Sequence, residues 1–381
     1  MFVSHNPLYQ ASQMNTGFEY VFPAIRGVQA QREYYVSMCP MRLLPKLFLF
    51  DEEELVPELR AQRQLNKARL PELSRYITQN ADNYVFSAIT VSVDGEVSFD
   101  QMADDGDSSR IGMLRIPMSA RFIINDGQHR RAAIDLALRQ KPELGDESIA
   151  VVFFLDLGLE RCQQMFADLN RYAIRPSKSL SILYDYRDQT AQLTKALIAE
   201  SPVFRDVVEL EKTSLAKRSR CLFTLSAIYH ATEALISDME ETDPRETAGL
   251  ALKFWETAAE NLSEWQSVRS GELTAGDLRE NYIHTHSVAL QALAHTGKAL
   301  IARYPKQWAK KLAGIQTIDW RRANSSLWEG RAMVGGQVAK SGKSVVLTSN
   351  AIKTHLGLTL SEDEQQAEDA LRRGSNGKKR R

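Results

Sequence analysis

The chain is 381 residues long, 43% hydrophobic and 25% charged, the balance of a globular protein with room for two domains of ordinary size. Its 48 Lys and Arg are matched by 48 Asp and Glu, which excludes a general electrostatic pull toward nucleic acid and requires any DNA contact to be local. Three widely spaced cysteines, Cys39, Cys162 and Cys221, form neither a disulfide framework nor a zinc spacing. With no 18-residue apolar run and no basic, apolar leader, the expectation is a cytoplasmic protein without a membrane partner.

Phe18 to Ile25 and Arg32 to Met38 are aromatic and β-branched, which predicts two strands with a turn at Gly27. The apolar run Leu44 to Phe50 ends at Asp51-Glu52-Glu53-Glu54, acids suited to the start of a helix that runs toward Leu65. Pro71 fits the first turn of another helix, with Leu73, Tyr76 and Ile77 at helical spacing. Arg60, Arg63, Lys67, Arg69 and Arg75 stud this region as a solvated face or, alternatively, a nucleic-acid surface. Tyr84 to Val93 predicts a strand, Asp94-Gly95 a hairpin turn into Glu96 to Phe99, and Asp100 to Arg110 a polar loop.

The centre of the chain is Arg121 to Ala133, RFIINDGQHRRAA. Phe122 to Ile124 predicts a buried strand, Asn125-Asp126-Gly127 a break, and Gln128 onward a helix. Such a unit aims the N–H groups of Gly127, Gln128 and His129 and the positive end of the helix dipole at one point. His129, Arg130 and Arg131 add donors suited to phosphate, and Gly127 allows a positive φ or a close approach. Asp126 can orient Arg130, cap the helix, or hold a ribose hydroxyl or a metal. Two readings stand side by side, an ordinary capped helix start and a phosphate site.

Gly145 marks a turn into Ile149 to Leu155, a buried strand by its unbroken apolar run. Glu160 to Arg171 places Cys162, Met165, Phe166 and Leu169 on one helical face, with Asp168, Asn170 and Arg171 elsewhere on its surface or at its end. Pro176 and Ser177 restart a helix through Leu183. Strands alternating with helices argue a mixed α/β sheet.

The string NDGQHRRAAI resembles the signature of the DGQHR-domain family, and within it the DndB proteins of DNA phosphorothioate (sulfur) modification. The similarity extends over Gln64 to Ile77, Phe86 to Val93 and FADLNRYAIRPSKSLSILYD, Phe166 to Asp185. A Gly and a basic residue opening a helix after a strand also occur in the ParB and sulfiredoxin superfamily, where they bind nucleotide phosphates. The resemblance therefore implies an α+β fold whose first part, over 1–188, is a mixed-sheet ParB/sulfiredoxin-like domain. It brings Asn170 and Arg171 to the pocket of Asp126 to Arg131, with ATP or another nucleotide as the cofactor class. The partners it implies are DNA and other proteins of the modification system, with self-association into a homo-oligomer.

From about Gln189 the texture changes. Thr190 to Ala199, Ser219 to Ile236, Pro244 to Leu262 and Leu278 to Arg303 are Ala/Leu/Glu/Lys-rich and helical in period, which predicts an all-helical domain over 189–316 without a fixed repeat. All five tryptophans, Trp255, Trp265, Trp308, Trp320 and Trp328, fall after Gln189, as core packing would have them. His284 and His286 would diverge as an i,i+2 pair on a helix, so no metal site is expected there.

A C-terminal hairpin and helix are expected over 317–373. Gly330, Gly335, Gly336 and Gly342 accompany Arg331, Lys340 and Lys343, Ser344 to Leu347 reads as a short strand, and Thr348 as the cap of a helix to Leu356. Gly342-Lys343-Ser344 fails as a phosphate loop because Gln337 stands where its first Gly is required. A basic, glycine-bearing hairpin suits DNA contact through Arg331, Lys340, Lys343 and Lys353, and the tail 374–381, GSNGKKRR, predicts disorder with phosphate contacts from Arg380 and Arg381.

Two function classes follow. One is a DNA-binding regulator of the modification genes, a transcriptional repressor. The other is a nucleotide hydrolase or DNA-processing enzyme using Asp126 and His129 as catalytic candidates, with Gln128 and Arg130 in the same site. Asp126 and Asp168 are the acids that would have to converge for a metal-assisted version.

Overall fold

The computed structural model describes residues 18–48, 66–155, 159–171, 176–239 and 243–378; of residues 159, 160, 162, 163, 170, 171 and 374–378 only the backbone is described. The expected acidic helix start at Asp51 to Glu54, with Arg60 and Arg63, lies outside these residues, as do Arg380 and Arg381. The chain divides into two compact units, 1–174 and 175–381.

The first unit is built on a sheet of seven strands in the order β4-β5-β1-β2-β7-β3-β6. They are β1 (Glu19–Gln29), β2 (Arg32–Pro40), β3 (Ile89–Asp94), β4 (Ser98–Gln101), β5 (Ile111–Pro117), β6 (Arg121–Asp126) and β7 (Ser148–Phe154). β3 and β7 run parallel and the remaining neighbours antiparallel. Alternation along these strands sends Phe22, Tyr35, Val91, Leu114, Ile124 and Phe153 into one core, where burial of apolar surface supplies the driving force. Helices α1 (Leu44–Leu47), α2 (Leu70–Gln79) and α3 (Gln128–Gln140) add Leu44, Ile77, Ala133, Ile134 and Ala137 to it. On the opposite face, α4 (Leu159–Arg171) lies over the β3–β6 end, where buried Asn125 donates to Ser92 Oγ at 2.7 Å and to Met165 Sδ at 3.1 Å. Farther along that face Val21, Ile25, Met38, Ile111 and Met113 are exposed.

Several expectations are corrected here. Gly27 sits inside β1, facing Tyr34 across the pair. The turn falls at Ala30 and Gln31, both at positive φ (50° and 64°), because a two-residue hairpin loop must match the strand twist even without glycine. Asp94-Gly95 does not close a hairpin. β3 is an interior strand held by β6 and β7, while β4 pairs with β5, a strand the composition concealed.

The second unit contains α5 (Lys178–Tyr184), α6 (Gln189–Glu200), the short strands β8 (Val208–Glu209) and β9 (Phe223–Thr224), α7 (Leu225–Ile236), α8 (Pro244–Glu260), α9 (Ser263–Ser270), α10 (Ala275–Asn281), α11 (Ser287–Arg303), α12 (Trp308–Leu312) and α13 (Ser325–Trp328). The hairpin β10 (Met333–Val334) and β11 (Gln337–Val338), then α14 (Gly342–His355) and α15 (Glu362–Lys378), complete it. α11 is the central helix: it buries Val288, Leu290, Leu293, Thr296 and Leu300 and packs against α7 and α14. Gly297 lets the Phe254 ring press against its backbone, a position a Cβ would occupy. All five tryptophans are buried.

Residues 278–303 are not one helix. Tyr282 bridges to Arg321, the Ile283 N–H donates to the Trp320 carbonyl, and the His286 N–H donates to the Ile283 carbonyl at 2.9 Å, so His284 and His286 sit in a turn between α10 and α11. Ser344 to Leu347 is helix, not strand. Ser341 caps α14 by accepting from the Ser344 N–H at 3.0 Å, and Val345, Leu347 and Ile352 are buried. α5 carries Ile182 into a cluster with Ala191, Leu225 and Tyr229, so it belongs with the helices that follow, upstream of the boundary expected at 188. α15 runs on to Lys378, past the start of the expected tail. Among the described residues no helix is long and apolar enough to cross a membrane.

Candidate functional site

The central motif forms the strand, turn and helix that its residues predict. β6 ends at Asp126, Gly127 takes φ 105° as the N-cap of α3, and no side chain caps that helix. A Cβ at Gly127 would lie 3.1 Å from Ile89 Cγ1 and 3.2 Å from Arg130 Nη2, in a backbone region that disfavours any side chain.

The basic side chains turn inward, each to a different segment. Arg130 Nη2 meets Asp126 Oδ2 at 2.6 Å, and its Nη1 donates to Ser87 Oγ. Arg131 Nη2 donates to the Pro45 carbonyl at 3.3 Å, and burial pushes its pKa down. His129 Nε2 accepts the Asn66 N–H at 3.0 Å, which requires that nitrogen to be unprotonated. Burial lowers the His129 pKa, with Arg69 reinforcing and Asp126 opposing the shift. The motif thus fastens residues 45, 66 and 87 around the start of α3. Gln128 is the first residue of that helix and is half-buried. Asn170 and Arg171 end α4, their side chains outside the described residues. Asp168 accepts from Gln164 at 2.8 Å. No group of three metal-ligating side chains occurs among the described residues.

The basic residues expected to meet DNA separate into two kinds. Arg331 is paired with Glu368 and Lys353 Nζ with Glu364 Oε1 at 2.5 Å, both largely buried. Lys340 and Lys343, following the hairpin whose tip is Gly335-Gly336 at φ 60° and 75°, are exposed and have no ion-pair partner among the described residues. Burial of part of the Lys340 side chain lowers its pKa. Arg279 and Arg322, which the sequence reading passed over, also lie near this hairpin, lining a cavity with Gln337, Val338 and Lys340.

No match was found among curated proteins or among solved structures. A family model, DndB, described as DNA-sulfur modification-associated, matches residues 22–359, nearly the whole chain. That span takes in the strand-rich unit with its DGQHR turn and most of the helical unit, and the chain accordingly belongs to the DndB family of DNA-sulfur modification-associated proteins.

Proposed function

We propose that this chain is a DNA-binding regulator of the phosphorothioate modification genes, a transcriptional repressor that binds DNA without processing it. Family membership supplies the system. The observation that favours binding over processing is the Asp126–Arg130 pair. The only carboxylate of the motif spends an oxygen on a guanidinium 2.6 Å away, whereas hydrolysis needs a carboxylate free to hold a metal or activate water. DNA contact then falls to Lys340 and Lys343 beside the hairpin, and to Arg380 and Arg381.

A nucleotide such as ATP is a further ligand we assign to the motif, and the uncapped start of α3 supports this. Gly127 leaves the first-turn N–H groups without a side-chain acceptor, the arrangement that favours phosphate and that underlies the ParB/sulfiredoxin-like reading of the domain. Self-association is favoured by the exposed Val21, Ile25, Met38, Ile111 and Met113 on one face of the sheet. The test is turnover. Purified chain incubated with supercoiled DNA and ATP should leave both intact while retaining promoter DNA. Nicking or nucleotide hydrolysis that Asp126→Asn abolishes would replace the regulator with the enzyme.

A further inference from the structure

The helical unit holds an open cavity of about 570 Å³, within the roughly 300–1,000 Å³ typical of small-molecule sites. None of its walls belongs to the central motif. The start of α11, a 17-residue helix, forms one side: Ser287 and Val288, its first two residues, line the cavity, and no side chain caps the helix. Such N–H groups lack a partner four residues back and favour an anion. Thr285, just before them, lines the same cavity, is 4% exposed, and leaves its hydroxyl without a hydrogen-bond partner. A buried hydroxyl left unmade is costly, and marks a place where another group completes the bond.

The charge of the wall is positive. Arg279 donates to the carbonyls of Ala216, Lys217, Ser219 and Cys221, and Arg322 to those of Glu280 and Gly336. Neither guanidinium meets a carboxylate among the described residues, and Lys340 adds an ammonium that is equally unpaired. Glu280, the acid of the wall, is taken by Lys217 at 2.8 Å. His286 Nε2 donates to the Arg279 carbonyl at 2.8 Å. Leu215, Leu222, Phe223 and Val338 provide apolar wall.

We propose that this cavity binds a phosphate monoester with a nucleoside-sized body, the phosphate seated at the start of α11 with Thr285 and Lys340 and the body against the apolar wall. Three uncompensated cations and a helix N-terminus suit a doubly charged phosphate better than a single carboxylate. This site is independent of the DNA-binding reading, although Lys340 is common to both.

The experiment is calorimetric titration of the full chain with each of the four ribonucleoside monophosphates, with adenosine as the uncharged control. At least one monophosphate should bind saturably while adenosine does not. Lys340→Ala and Thr285→Val should each weaken it about tenfold or more, the scale of a lost charged or buried hydrogen bond, and Lys310→Ala, at an exposed lysine outside the cavity, should leave it unchanged. Lys340 is exposed, so its variant keeps the fold. No binding of any monophosphate, binding that survives Lys340→Ala, or binding weakened equally in Lys310→Ala overturns the proposal. The DNA reading fails separately: promoter affinity of Thr285→Val should equal that of the parent whatever the nucleotide result.

Discussion

Arg331 and Glu368 face each other as a two-pronged ion pair, Nη1–Oε1 at 2.5 Å and Nη2–Oε2 at 2.7 Å, while the same Nη1 donates to the Leu347 carbonyl at 3.0 Å. The pair ties the turn before β10 to α14 and α15. Glu368 is 5% exposed and the Arg331 side chain 18%, so removing either partner leaves a largely buried charge without its counter-ion. Glu368→Ala should therefore cost about 3 kcal/mol, and Arg331→Met combined with Glu368→Leu should recover most of that loss. Urea unfolding midpoints decide it, and equal midpoints for Glu368→Ala and the parent would contradict the role.

Asp126 and Arg130 make the second prediction. With Arg130 spanning Asp126 and Ser87, Arg130→Ala should lower stability by about 1.5–3 kcal/mol, the worth of hydrogen bonds to charged groups. A double-mutant cycle with Asp126→Asn should show coupling, since each single change already breaks the pair. Additive losses would mean that the two side chains act independently.

Stability should also fall on acidification. His284 is fully buried; Trp265 Nε1 donates to its Nδ1 at 3.0 Å, and its Nε2 faces Glu264 Oε2 at 3.5 Å. Burial pushes the His284 pKa below the ordinary 6.5, with Glu264 opposing. Burial likewise lowers His286 and His295. The unfolded chain then takes up protons near pH 6.5 that the folded chain refuses, so stability is full above 6.5 and declines as pH falls from there toward the lowered folded values. The slope in that window is up to about 1.4 kcal/mol per pH unit for each histidine. Unfolding midpoints at pH 7.5 and 5.5 test the sign, and a higher midpoint at 5.5 would refute it.

How much of this was legible in the residues depends on the distance over which each feature is decided. The strand, Gly127 turn and helix of the motif are local, and so is the Asp126–Arg130 pair, four residues apart. Ser87, Asn66 and Pro45 lie 43, 63 and 86 residues from the side chains they meet, and nothing local announces them. β5 escaped because Gly112 interrupts its apolar pattern; that glycine is required where the Asp100 carbonyl crosses. Val345-Val346 favours a strand by propensity, but the Ser341 cap and packing on α11 override it. The cavity of the helical unit gathers Arg279, Thr285, Arg322 and Lys340 from separate segments, a convergence that only the fold creates.

The central claim, sequence-selective DNA binding through unpaired basic residues near the hairpin, is tested most directly by the salt dependence of promoter affinity. Fluorescence anisotropy with a fragment from upstream of the modification genes and with an unrelated duplex, each across a series of salt concentrations, gives the slope of log K against log salt. The account predicts that the promoter is held about 10³-fold or more tightly than the unrelated duplex at physiological salt. Lys340→Ala and Lys343→Ala should each flatten the slope by about 0.9. A promoter retained no better than unrelated DNA, with slopes indifferent to both lysines, would contradict it.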